Sequence, residues 1–140
     1  MKFTEFELND TLLYSVYYAN FDEATEIQAK AIPLILNGHD LIGCAQTGTG
    51  KTAAFVLPML NQLSESNSVG VKALILCPTR ELAIQIDRQV QGLAYFTNAV
   101  CKAVYGGGDG VAWDQEREAL EGGADVIIAT PGRLISHLER

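Results

Sequence analysis

The stretch Ala45-Gln46-Thr47-Gly48-Thr49-Gly50-Lys51-Thr52 decides the fold. It stands between a short apolar run, Leu41–Cys44, and a helical pattern that opens at Lys51 and continues to Leu63. A small-residue turn that leaves a strand, opens a helix and closes in Gly-Lys-Thr is the setting of a phosphate-binding loop. The small residues let the backbone wrap closely around a phosphate chain. The N–H groups there and at the helix start point inward and attract anions. Lys51 can reach the outer phosphates, and the Thr52 hydroxyl can bind Mg²⁺. The first position of such loops is normally Gly. Ala45 is the next smallest residue, so the loop still closes. By itself this loop implies a nucleotide phosphate and does not separate kinases, transporters and helicases.

Outward from the loop, the chain alternates. Apolar runs at Leu41–Cys44, Ala73–Cys77, Cys101–Tyr105 and Val126–Ala129 read as strands buried on both faces. Helical patterns lie between them at Lys51–Leu63, Arg80–Tyr95 and Val111–Leu120, and a last helix follows Pro131 and Gly132. Strand alternating with helix predicts an α/β fold on a parallel sheet. Before the loop, residues 9–19 and 25–36 have helical spacing, with Asn9 or Asp10 and then Thr25 as caps. Pro33 is expected to end or kink the second helix, and Asn37-Gly38 marks a turn. This divides residues 1–140 into a helical region, 1–38, and a phosphate-loop α/β core, 39–140.

The bulk numbers fit one domain. The chain has 140 residues, 48% of them hydrophobic, enough for a buried core. It contains no apolar run of about 18 residues or more, so no membrane span is expected. The N-terminus lacks the apolar stretch of a signal peptide, and a cytoplasmic location is expected. Cys44, Cys77 and Cys101 are far apart, without a C-x-x-C pair or a His cluster, and read as buried reduced thiols in strands. The net charge of −7 counts against a broad nucleic-acid face, because phosphate attraction needs Lys and Arg. Nucleic acid therefore requires local basic clusters. His39 and His137 have no partner at catalytic spacing. Trp113 reads as packing a helix against the sheet, and Glu116, Glu118 and Glu121 as a solvated helix face.

Further motifs flank the loop in a fixed order. Asn20-Phe21-Asp22-Glu23-Ala24-Thr25-Glu26-Ile27-Gln28 precedes it, with an isolated aromatic, Phe3, upstream. Pro78-Thr79-Arg80-Glu81-Leu82-Ala83 follows the second strand, Tyr105-Gly106-Gly107-Gly108 the third, and Thr130-Pro131-Gly132-Arg133 the fourth. Together they resemble the DEAD-box RNA helicases from Phe3 to the C-terminus. Two positions depart from that family's Q motif: Asn20 replaces Gly and Ala24 replaces Pro. Asn tolerates a left-handed backbone, and neither change removes a base contact.

The resemblance implies a RecA-like ATP-binding domain, truncated on its C-terminal side, with ATP and Mg²⁺ as cofactors. By the resemblance Gln28 reads the adenine edge, Phe21 stacks on the base with Phe3 nearby, and Thr25 supports the phosphate loop. An amide carries both the donor and the acceptor that adenine requires. Residues Ala45 to Thr52 hold the nucleotide, with Lys51 and Thr52 catalytic and Thr52 on the metal. Pro78, Thr79, Arg80, Gly106, Gly107, Thr130, Gly132 and Arg133 contact the RNA backbone, with little sequence preference.

The family's Asp-Glu-Ala-Asp and Ser-Ala-Thr motifs do not occur in this chain. Negligible ATPase and no unwinding are therefore expected of it alone. In the family, later strands lie between the loop strand and the other three. Exposed strand edges and self-association are expected to follow. The competing readings are another P-loop ATPase or small-molecule kinase, and a non-catalytic nucleotide-binding or self-associating module.

Overall fold

A computed structural model describes residues 1–46, 48, 50–66, 68–106 and 110–139. The chain divides into two compact units. Met1–Ser66 with Gln91–Asn98 form one, and Asn67–Val90 with Ala99–Arg140 the other.

The first unit is helical. A 3₁₀ turn, Phe3–Glu5, precedes α1 (Asp10–Tyr18), α2 (Glu26–Leu36) and α3 (Lys51–Ser64). The caps expected from sequence form. The Asn9 side chain accepts from the N–H of Leu12, satisfying one of the donors a helix start leaves open. Asn9 also ties α1 to α3: its N–H donates to Asn61 Oδ1 at 2.8 Å and its amide to Ser64 Oγ at 2.8 Å. Asn20 takes the left-handed backbone, at φ 60°.

Pro33 does not end α2, which runs on to Leu36. Proline removes one helical hydrogen bond, yet Ala31 and Ile32 are buried and α2 packs along α3. That packing holds the last turn, which closes with the Asn37 N–H on the Pro33 carbonyl.

The apolar run at Leu41–Cys44 is not a strand in the structure. A strand needs a neighbour to take its backbone bonds, and the three described strands pair only with one another. The side chains there are exposed, Ile42 at 96%, and Cys44 is exposed instead of buried.

The second unit carries the sheet: β1 (Ala73–Leu76), β2 (Cys101–Val104) and β3 (Val126–Ala129), parallel and in the order β1-β3-β2. The connecting helices are α4 (Arg80–Ala94), whose last turn belongs to the first unit, and α5 (Gly110–Glu118). A π turn, Ala119–Gly123, leads into β3, and α6 (Pro131–Leu138) follows it. The last helix starts on Pro131 itself, where a missing N–H costs nothing.

Burial on both faces holds for β3 alone, because it is central. On β1, Leu74 and Leu76 are exposed. Lys72 and Asp125 pair at 2.6 Å before β1 and β3, and Asp125 also accepts from the Val100 N–H ahead of β2. One carboxylate thus pins the entry of all three strands. The hydrogen bond from Lys72, then that from Val100, hold its pKa below the usual carboxylate value.

Candidate functional site

In the first unit, the phosphate loop is built against the start of α2. Thr25 caps α2 by accepting from the Gln28 N–H, and the Gln28 side-chain oxygen accepts in return from the Thr25 N–H at 2.9 Å. This reciprocal box turns the Gln28 amide nitrogen toward the loop. That nitrogen donates to the Gly50 carbonyl at 3.1 Å. Gln28 is only 3% exposed.

Gly50 has no substitute at this point. Its backbone is left-handed, at φ 77°, and a Cβ there would collide with the Gln28 amide. Gly48 is also left-handed, at φ 85°, and faces open space. Past Gly50 the helix α3 begins, with Lys51 exposed and Thr52 half-buried. Thr47 and Thr49 lie outside the described residues.

An open cleft of about 520 Å³ runs between the head of α2, at Thr25, Ile27 and Lys30, and the loop residues Cys44, Ala45, Gln46 and Gly48. Phe21 stands partly exposed, with its ring stacked on the buried Phe3 at 5.9 Å. The two aromatics expected to serve the base therefore have different places: Phe21 offers a face, and Phe3 supports it from below.

The Gln28 amide has one N–H and one carbonyl lone pair beyond the bonds described. That is the donor and acceptor complement of an adenine edge. Among the described residues no group of three or more His, Cys, Asp or Glu gathers as a metal cage. A cation here would depend on hydroxyl, water and phosphate oxygens.

The second group of expected residues lies in the other unit. Because β1, β3 and β2 are parallel and in register, with Leu76 and Val104 both opposite Ala129, the segments after them leave by the same sheet edge. These are Pro78–Arg80, Tyr105–Gly106 and Thr130–Arg133. Carboxyl ends of parallel strands are where such folds gather ligands. Pro78, Thr79 and Arg80 are exposed. Thr79 Oγ1 accepts from the Leu82 N–H and caps α4. The Arg80 guanidinium lies 5.7 Å from the Tyr105 ring centre, a cation–π contact that orients it. Thr130 is half-buried and Gly132 exposed. Gly107 and Gly108 lie outside the described residues.

Arg133 is half-buried and tightly held. Its Nε donates to Glu116 Oε1 at 2.7 Å. Its guanidinium carbon lies 4.7 Å from the Trp113 ring centre, and its stem packs where a Cβ on Gly106 would make contact at 3.4 Å. His137 Nε2 meets the same Glu116 oxygen at 2.9 Å, and its ring stacks on Trp113 with centres 3.7 Å apart.

These contacts correct the sequence reading of Glu116 and add partners for His137 and Trp113. Glu116 is not on a solvated face: its side chain is 10% exposed, unlike the exposed Glu118 and Glu121. His137 has a carboxylate partner. Trp113 packs on α6 side chains. A sequence signal existed. Trp113 and Glu116 are three apart and Arg133 and His137 four apart, so each pair shares a helix face.

Three comparisons bear on this geometry. Residues 25–140 match the model of the DEAD/DEAH box helicase family. The chain is similar to the ATP-dependent RNA helicase CshA of Listeria monocytogenes, at 46% identity over 99% of the chain and 26% of that relative. It is also similar to the DEAD-box ATP-dependent RNA helicase RhpA of Helicobacter pylori, at 44% identity over 98% of the chain and 27% of the relative. The crystal structure of a DEAD box protein from the hyperthermophile Methanococcus jannaschii superposes with a TM-score of 0.88 at 38% identity, covering all of this chain and 37% of that one. The chain thus spans about a quarter of the length of these two curated relatives.

Proposed function

The chain belongs to the DEAD/DEAH box helicase family, and from that premise we propose that it is the nucleotide-gripping part of a protein that couples ATP hydrolysis to RNA remodelling. The observation that carries the reading is the Gln28 amide, which joins the head of α2 to Gly50 of the phosphate loop. A generic phosphate loop has no need of a buried amide at its base.

In this reading the adenine enters the cleft beside Thr25 and Ile27. Gln28 meets its edge, and Phe21 offers a ring face backed by Phe3. The α3 N-terminus and the loop amides hold the phosphates, with Lys51 on the outer ones. The Thr52 hydroxyl would contribute one oxygen ligand to a Mg²⁺ ion, a hard cation that takes oxygen ligands. When bound, the ion neutralises charge on the transferred phosphoryl group. RNA lies along the sheet edge of the second unit, with Pro78–Arg80, Gly106, Gly107, Thr130, Gly132 and Arg133 on its sugar-phosphate backbone. Such contacts carry little sequence information. No helix among the described residues is long and apolar enough to cross a membrane.

A second reading, a nucleotide-binding module without turnover, rests for this chain alone on its sequence, which carries neither the Asp-Glu-Ala-Asp nor the Ser-Ala-Thr motif. Steady-state ATP hydrolysis with and without single-stranded RNA separates the two. A background rate for this chain, and an RNA-stimulated rate for a longer protein that carries it and loses that rate in Lys51→Ala, is the expected pair. Absence of RNA stimulation in the longer protein would contradict the helicase reading.

A further inference from the structure

We infer that Glu116 is a positioning residue for Arg133, setting the direction in which its guanidinium meets an RNA phosphate. The inference rests on the reading above that Arg133 holds such a phosphate. It adds a residue that belongs to none of the sequence motifs.

A carboxylate is out of place beside a phosphate track. Glu116 lines a recess of about 300 Å³ together with Arg80, Lys102 and Tyr105. Standing free there, it would repel phosphate and lower the local positive potential. It does not stand free. One of its oxygens accepts from the Arg133 Nε and also meets the His137 Nε2 at 2.9 Å, and its side chain is 10% exposed.

The geometry has a directional consequence. Glu116 holds Arg133 by Nε, the nitrogen at the root of the guanidinium, while Trp113 covers one face of it. The two terminal nitrogens form the fork that matches a phosphate. Fixing the root and one face leaves the fork a single orientation, so less rotamer freedom is lost on binding. Gly106, on the loop after β2, packs on the Arg133 stem. The clamp therefore couples two backbone-contacting loops that leave adjacent strands. His137, stacked on Trp113, closes it from α6.

Positioning and charge predict opposite responses, which makes the inference testable. Glu116→Gln keeps an acceptor oxygen for Arg133 and removes the negative charge. Glu116→Ala removes both. Binding of fluorescent oligouridylate by anisotropy, across a salt series, should show Glu116→Ala weakened about fivefold and Glu116→Gln equal to the parent chain or tighter. Neither change should matter once Arg133→Ala is present. The Arg133 Nε–H line in side-chain nitrogen NMR should lose its protection from exchange in Glu116→Ala and keep it in Glu116→Gln.

The failures are distinguishable. If Arg133→Ala leaves RNA affinity and its salt slope unchanged, or the parent chain binds no RNA, the phosphate reading fails, and the inference with it. If Arg133→Ala weakens binding but Glu116→Ala does not, or binds more tightly, Glu116 does not position Arg133. An unprotected Arg133 Nε–H in the parent chain would overturn the inference whatever the RNA result.

Discussion

The Gln28 side-chain amide donates to the Gly50 carbonyl at 3.1 Å, across 22 residues of sequence. The same amide locks the head of α2 through Thr25. Helix cap and phosphate loop are therefore one hydrogen-bonded unit. Gly50→Ala attacks it twice: a side chain in a left-handed backbone costs about 1–2 kcal/mol, and the new Cβ meets the Gln28 amide. The variant should melt lower and bind adenine nucleotide at least tenfold more weakly. Calorimetric melting and an ADP titration check both.

Gln28 variants divide its two roles. Gln28→Ala removes the acceptor for the Thr25 N–H and the donor to Gly50, and leaves a buried gap. A loss of about 1–3 kcal/mol in urea unfolding is expected. Gln28→Glu keeps the acceptor for Thr25 but sets a carboxylate against the Gly50 carbonyl. It should retain the α2 cap, read as amide exchange at Thr25, while losing nucleotide binding. Equal loss of the cap in both variants would contradict this division.

The three cysteines should react in a definite order. Cys44 is exposed beside the phosphate loop. Cys77 and Cys101 are buried, and burial, assisted by Asp125 and Asp87, pushes the Cys101 thiol up to about 11. A thiol reagent at neutral pH should modify Cys44 at once and the other two only on unfolding. ADP with Mg²⁺ should slow Cys44 modification. Rapid labelling of Cys101 in the folded chain would contradict the described burial.

Acid should loosen the sheet through Asp125. Its pKa is lowered in the fold by the Lys72 hydrogen bond first and the Val100 N–H second. A depressed carboxylate contributes stability that is fully present above its unfolded value and is lost as pH falls through its folded one. Asp125→Asn should therefore be less stable at neutral pH and show a flatter acid limb. Thermal melts at neutral and mildly acid pH measure the difference. An unchanged acid limb would show that other carboxylates set it.

Local chemistry was legible in the sequence, and long-range partnership was not. The caps at Asn9 and Thr25 follow from residues three positions apart, and the left-handed Asn20 from a family position usually held by Gly. The parallel strands at 73–76, 101–104 and 126–129 followed from apolar runs. Leu41–Cys44 looked the same in sequence but pairs with none of the described strands. Pro33 sits inside a helix that packing on α3 sustains, which no local rule reveals. Glu116 looked like its neighbours Glu118 and Glu121. Only the fold brings Arg133 and His137 from α6 onto its oxygen.

In the proposed site the amide of Gln28 and the phosphate loop together hold an adenine nucleotide. Calorimetric titration of this chain with ADP, and separately with GDP, in the presence of Mg²⁺ tests it most directly. Binding of ADP at least tenfold tighter than GDP, with the preference abolished in Gln28→Ala, is the predicted result. Equal affinity for the two nucleotides, or a preference for ADP that survives Gln28→Ala, would contradict it.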